Sequence, residues 1–169
     1  YYLRISRDRH RAALSVANTT TGEFRDILVD SLNTYMETRQ PQRLTDGSWL
    51  WWSEQDGWAH VYRYSSDGNL TNRLTSGPWH VDGIVGIDEE RGHAFLTGQG
   101  REDGEDPYYQ HLYRVNLDGS GLTLLNPGDY DHRFSMGESR RFFVDSYSRV
   151  NTKPVSALYN AQGTKILDL

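Results

Sequence analysis

The sequence lacks several features that would each indicate a particular class of protein. It has no cysteine among its 169 residues, which excludes a disulfide framework and a thiolate metal site. It contains no apolar run near the ~18 residues of a membrane-spanning helix and no Lys/Arg-rich stretch that would mark a nucleic-acid groove. Charges of both signs are interspersed around a net charge of −5. We therefore expect no nucleic-acid partner and no membrane span in this segment.

Helical periodicity is also absent, since no segment longer than a turn shows the apolar period of 3.6 residues. Aromatic residues make up 12% of the chain, with 11 Tyr and 5 Trp, and glycine is plentiful at 16 residues. That mixture is typical of many short strands joined by tight turns. The sequence therefore predicts an all-β fold.

A tandem repeat is the strongest internal signal. The segment His60–Gly68 (HVYRYSSDG) recurs as His111–Gly119 (HLYRVNLDG), 51 residues further along the chain. Weaker copies lie at residues 15–22 and 157–163. Each copy is a short strand that ends in a glycine turn and is followed by another short strand. Aromatic-rich strands such as Trp49–Ser53 precede the later copies, so we infer four strands in each repeat.

Repeats of roughly 40–50 residues with four strands each indicate β-propeller blades, because one blade cannot bury both of its faces alone. We predict a partial β-propeller of about 3.5 four-stranded antiparallel blades. The partial blade is placed at 1–36, and complete blades are placed at about 37–77, 78–128 and 129–169. The chain opens on Tyr1 rather than Met and ends in a strand-like segment, so we expect an internal fragment of a longer protein.

Three ordered segments carry a more specific pattern. Residues 52–62 read WSEQDGWAHVY, residues 73–81 read RLTSGPWHV, and residues 134–148 read FSMGESRRFFVDSYS. They resemble three motifs, S-E-x-D-G-x-x-H-L-Y, L-T-x-G-x-W-x-V and F-S-P-D-G-K-Y-F-V-D-S-Y-S, of the N-terminal β-propeller of dipeptidyl peptidase IV-like enzymes. These are serine peptidases of the prolyl oligopeptidase superfamily. Met136-Gly137 stands where that family usually has Pro-Asp, and the resemblance covers about residues 45–169.

The resemblance implies an eight-bladed propeller stacked on an α/β-hydrolase domain. The two enclose a chamber in which dipeptides are released from peptide N-termini, usually after Pro or Ala. The chain would then be the non-catalytic portion that walls the chamber and gates peptide access. The implied partners are the C-terminal α/β-hydrolase domain of the same parent chain, peptide substrates and a second copy of the parent in a homodimer. The implied location is periplasmic or extracellular, and no cofactor or metal is expected.

The catalytic chemistry of such a parent peptidase is expected outside this chain. A hydrolase nucleophile needs Gly-x-Ser-x-Gly, and the nearest string, residues 137–141 (GESRR), has Arg141 where glycine is required. The last histidine, His132, also precedes Ser139, whereas the hydrolase histidine follows its serine. We therefore predict that Ser139 is a turn residue and that the chain alone is inactive.

Other groups that can carry chemistry are interpreted as structural. The histidines have no ligand spacing, so His60 and His111 are expected to orient a strand or turn in each repeat. The acidic loop at residues 101–107 has too few alternating carboxylates for a calcium loop, and we expect a solvated insertion. Four tryptophans could form a stacking platform, although strand alternation favours core packing. They are Trp49, Trp51, Trp52 and Trp58.

One connection carries the candidate substrate-binding residues. Tyr35, Glu37 and Arg39 lie between the predicted strand Phe24–Asp30 and the next repeat, and propeller connections of this kind emerge at the rim of the central channel. In the family this connection carries an aromatic–Arg pair that faces the substrate, and Met36-Glu37 stands against that pair here. Glu37 can hold a peptide amine and Arg39 a backbone carbonyl, and a solvated loop is the alternative.

Two other functions stay open at this point. A propeller without a hydrolase partner would be a scaffold for protein–protein interaction, and a downstream Gly-x-Ser-x-Gly in the parent gene would exclude that function. A propeller glycosidase needs two carboxyl groups about 5–10 Å apart on inner strands. Its candidates are Asp82, Asp129 and Asp131.

Overall fold

The computed structural model describes residues 1–169 and contains 15 strands and no helical residue. The prediction of an all-β fold is therefore confirmed. The strands form three four-stranded sheets and one three-stranded sheet, and consecutive strands are neighbours in every sheet. No helix that could cross a bilayer is present. The chain divides into two compact units, Tyr1–Arg73 and Leu74–Leu169.

The first unit holds two antiparallel sheets. The first sheet contains β1 (Tyr2–Ile5), β2 (Arg11–Ala17) and β3 (Phe24–Ser31). The second sheet contains β4 (Gln42–Arg43), β5 (Trp49–Ser53), β6 (His60–Tyr64) and β7 (Leu70–Arg73). One apolar cluster takes side chains from both sheets, which is how each sheet covers a face that it cannot bury alone.

Strand alternation explains which tryptophans enter that cluster. Trp49 and Trp51 project from the same face of β5, and both belong to the core of the first unit. Trp52 points the other way and is also buried. The prediction of core packing is confirmed for these three residues. It is wrong for Trp58, which lies in the bend between β5 and β6 and is 47% exposed.

The glycine that ends the first strong repeat motif has a packing role as well as a turn role. Gly68, between β6 and β7, has φ +88°, and a Cβ there would lie 1.9 Å from the carbonyl oxygen of Ile27 in β3. The second sheet can approach the first this closely only because the residue has no side chain. The Asp67-Gly68 turn is thus a contact point between the first and second sheets.

The second unit repeats this arrangement with two four-stranded sheets. The third sheet contains β8 (His80–Asp88), β9 (His93–Gln99), β10 (Gln110–Asn116) and β11 (Thr123–Leu124). The fourth sheet contains β12 (Asp131–Met136), β13 (Phe142–Ser148), β14 (Val155–Asn160) and β15 (Lys165–Asp168). Phe95 of the third sheet and Phe143 of the fourth share one buried cluster. Gly163, with φ +82°, approaches the carbonyl oxygen of Leu125 as Gly68 approaches that of Ile27.

Candidate functional site

The β3–β4 connection, residues 32–41, carries the three candidate substrate-binding residues. Its backbone is fixed to the turn between β1 and β2, because the N–H of Leu32 donates to the carbonyl of His10 and the N–H of Met36 donates to that of Arg9. The Met36 side chain is buried in the core of the first unit. The connection is therefore anchored at its centre, while most of its other residues are exposed.

Burial of Met36 leaves its two neighbours on the outside. Tyr35 is 62% exposed, and the guanidinium carbon of Arg9 lies 4.9 Å from the centre of its ring. Arg9 also donates from Nη2 to the carbonyl oxygen of Met36 at 3.5 Å. A cation over an aromatic face is attracted by the ring quadrupole, so Arg9 helps to fix the orientation of Tyr35.

The turn that carries Arg9 is itself strongly constrained. Arg9 has φ +56°, a left-handed conformation that is uncommon for a residue with a side chain. The Ser6 hydroxyl donates to the Asp8 carboxylate, which also accepts the N–H of His10, and these two bonds lower the pKa of Asp8. The ionised carboxylate thus holds the turn in shape at neutral pH.

Glu37 and Arg39 form an exposed ion pair further along the connection. Oε2 of Glu37 lies 3.0 Å from Nη1 of Arg39, and both side chains are more than a third exposed. The Arg39 guanidinium also lies over the Trp52 ring, with its carbon 4.5 Å from the ring centre. Arg39 is therefore held between the Glu37 carboxylate and an aromatic face, and its Nη1 also donates to the carbonyl oxygen of Thr38 at 3.3 Å.

The three residues offer chemical groups of the kinds that a polar, extended ligand uses. Tyr35 offers an aromatic surface, Glu37 a carboxylate for a cationic amine, and Arg39 a donor for a carbonyl oxygen. An exposed ion pair is worth only about 0–1 kcal/mol, so a ligand can separate Glu37 from Arg39 at low cost. These three residues were predicted as candidates from the sequence, which gave no indication of Arg9 or of the contact that Trp52 makes with Arg39.

The other sequence candidates are engaged in structural contacts. Ser139 lies in the turn between β12 and β13 and accepts a hydrogen bond from the N–H of Arg141, which confirms that it is a turn residue. The glycosidase candidates are all bonded to protein groups. Asp82 accepts from the side chain of Gln110, Asp131 accepts from the N–H of Gln110, and Asp129 pairs with Arg149.

A buried polar network joins the third and fourth sheets within the second unit. Nδ1 of His132 lies 2.8 Å from the Asp145 carboxylate, and Nδ2 of Asn126 donates to the same carboxylate at 3.3 Å. The N–H of Leu112 donates to Oδ1 of Asn126 at 2.7 Å. The rings of His111 and His132 lie 4.9 Å apart. These contacts agree with an orienting role for His111, and no group of metal-ligating side chains is present.

The acidic loop at residues 101–107 is an insertion between β9 and β10 with most of its residues exposed, as the sequence suggested, but two of its glutamates contact β10. The Glu105 carboxylate lies 2.8 Å from Nε2 of His111, and the hydroxyl of Tyr113 donates to Glu102 at 3.1 Å. Both glutamate side chains are less than a quarter exposed. Two of the loop's carboxylates therefore tie it to β10, because that strand presents a histidine and a tyrosine beside it.

The family comparison gives one match over most of the chain. A family model described as the dipeptidyl peptidase IV N-terminal region matches residues 2–154. The chain is 33% identical over 117 residues to the probable dipeptidyl-aminopeptidase B of Aspergillus fumigatus, covering 66% of this chain and 12% of that protein. It is 28% identical over 114 residues to the probable dipeptidyl peptidase 4 of Emericella nidulans, covering 66% and 14%. The chain thus spans a small part of the length of these relatives.

Two solved structures are similar over nearly the whole chain. The crystal structure of Porphyromonas gingivalis dipeptidyl peptidase 4 superposes with a TM-score of 0.83 at 21% identity, covering 99% of this chain and 24% of that one. A putative dipeptidyl aminopeptidase IV from Bacteroides ovatus gives 0.80 at 20% identity, covering 99% and 26%. This likeness shows the fold and confirms the prediction of a partial β-propeller.

Proposed function

Since the chain belongs to the family of the dipeptidyl peptidase IV N-terminal region, we propose that it is the non-catalytic propeller portion of a dipeptidyl-peptidase-IV-like serine peptidase. In this role it walls the substrate chamber and gates the access of peptides whose N-terminal dipeptides are released. The family match over residues 2–154 is the observation that carries the proposal.

In this proposal the catalytic residues lie outside the present chain. Ser139 lies in a turn, and Arg141 stands where a nucleophile elbow needs glycine. The proposed nucleophile and its histidine therefore belong to a C-terminal α/β-hydrolase domain of the parent protein. The parent is a serine-type dipeptidyl peptidase in this proposal, and the present chain contributes shape and substrate contacts to its chamber.

We place the substrate contacts on the β3–β4 connection. Glu37 would hold the peptide amine, Arg39 would donate to a backbone carbonyl, and Tyr35 would pack beside the peptide. The anchoring of Met36 and the contact of Arg39 with Trp52 support this, because they fix the exposed groups in advance. Less ordering entropy is then lost when a peptide binds.

The test uses the intact protein that contains these residues and a chromogenic X-Pro dipeptide substrate. Glu37→Gln and Arg39→Ala should each raise KM or lower kcat/KM and leave the melting temperature within error. Matched controls are Glu90→Gln and Arg133→Ala, since both side chains are more than four-fifths exposed. Kinetics that are unchanged in both test variants would return the connection to a structural role.

A further inference from the structure

The second unit contains a cavity of about 300 Å³ that no part of the proposed peptidase role uses. Residues of three hairpin turns line it, namely the β8–β9, β12–β13 and β14–β15 turns. We call it the arginine pocket, after the three arginines among its lining side chains. Its lining includes Arg91, His93, Arg140, Arg141, Phe142 and Ile166.

The charges of the arginine pocket are unbalanced. Arg91 is neutralised, because its guanidinium donates to the Asp88 carboxylate at 2.8 Å. Arg140 donates only to the carbonyl oxygen of Gly137, at 3.3 Å, and the Arg141 guanidinium has no hydrogen bond or ion pair within the protein. Two positive charges of the lining therefore have no carboxylate partner.

The backbone around Arg140 is built to place its side chain. Arg140 has φ +57°, a conformation that L-residues seldom adopt. Its side chain lies against β8 at Gly86, where a Cβ would lie 2.9 Å from Nε of Arg140. The guanidinium thus reaches the pocket across a position that has no side chain. An arginine held in this way has lost much of its rotamer freedom before any ligand arrives.

The remaining walls add a hydrogen-bonding group and apolar surface. Burial and the charge of Arg114 lower the pKa of His93, so its ring is neutral at pH 7 and can donate a hydrogen bond without adding charge. Phe142 and Ile166 are both nearly half exposed. They offer an apolar surface to the apolar body of a ligand.

We propose that the arginine pocket binds a small molecule that carries a phosphate monoester, with the phosphate on Arg140 and Arg141 and the apolar body on Phe142 and Ile166. A phosphate monoester is nearly dianionic at neutral pH, which matches the two unpaired guanidinium groups. Guanidinium groups also bind phosphate with two parallel hydrogen bonds. The proposal is independent of the peptidase role.

Calorimetric titration of the intact protein with phenyl phosphate tests the site. Arg141→Gln removes one charge from an exposed side chain, and Arg140→Asn removes the other while keeping a residue that tolerates positive φ. Each variant should raise the Kd by tenfold or more and keep the melting temperature without ligand. Arg133→Gln, on the same unit and 86% exposed, should keep the Kd within twofold.

Benzoate, which has the same ring and a single negative charge, should bind at least tenfold more weakly than phenyl phosphate. No saturable binding of phenyl phosphate at millimolar concentration would overturn the proposal. An equal loss of affinity in Arg133→Gln would also overturn it, because it would show nonspecific attraction. Equal affinities for benzoate and phenyl phosphate would overturn the assignment to a dianion.

Discussion

Replacing Gly68 by alanine should destabilise the protein much more than the same change at Gly57. Both residues have nearly the same left-handed backbone, with φ +88° and +85°, so both variants bear a cost of about 1–2 kcal/mol for a Cβ in that region. The surroundings differ, because a Cβ at Gly68 would lie 1.9 Å from the backbone oxygen of Ile27, whereas nothing lies within 4 Å at Gly57.

The contact at Gly68 cannot be relieved by a rotamer change, since the obstructing atom belongs to the backbone of β3. The first two sheets must move apart, and overpacking of this kind costs a further ~1–3 kcal/mol. We therefore expect about 2–5 kcal/mol for Gly68→Ala and about 1–2 kcal/mol for Gly57→Ala. Urea unfolding of the intact protein, monitored by tryptophan fluorescence, measures the difference in free energy of unfolding. Four of the five tryptophans of this chain lie in the first unit, where Gly68 and Gly57 also lie. Equal losses would refute the claim that this glycine is a contact between sheets.

Three further outcomes follow from buried or shifted groups. Asp145→Ala should lower the free energy of unfolding by about 3–5 kcal/mol, because it leaves Asn126 and His132 buried without their hydrogen-bond acceptor. The control Asp103→Asn, at an exposed residue, should change it by no more than ~0.5 kcal/mol. Burial, and then the bond to Asp56, raise the pKa of Tyr62 to about 12. Tyr62→Phe should therefore remove a late step from the ultraviolet pH titration and cost about 1 kcal/mol. The pKa of His93 is lowered in the folded protein, so its contribution to stability is present above the unfolded pKa and is lost as the pH falls through the folded pKa. His93→Gln should therefore flatten the decline in stability as the pH falls below about 6.5.

The repeat made much of the fold predictable from sequence. The turn glycines and the strands on either side follow from the HVYRYSSDG pattern and its copy, and alternation along β5 places Trp49 and Trp51 on the core face. The same reasoning failed for Trp58, because a residue in a bend does not follow strand alternation. The local sequence therefore predicts the strands, the turns and the buried face of each regular strand.

The candidate site was less predictable, because it depends on contacts between distant segments. Nothing local to Arg9 indicates that its guanidinium covers Tyr35, and the contact between Arg39 and Trp52 depends on how the connection folds back. The same holds for Glu105, whose bond to His111 ties a largely exposed loop to β10. Residue types alone indicate the candidate binding residues, whereas their contact partners become visible only in the folded structure.

The central claim is that this propeller portion serves a peptidase which releases dipeptides from peptides that can enter a chamber. The most direct measurement is mass spectrometry of the products when the intact protein acts on a ten-residue peptide with Pro at its second position. A second substrate carries the same ten residues at the N-terminus of a rigid folded domain. The account predicts release of the N-terminal dipeptide from the free peptide and far slower release from the folded substrate. Absence of any dipeptide product, or equal rates for the two substrates, would contradict it.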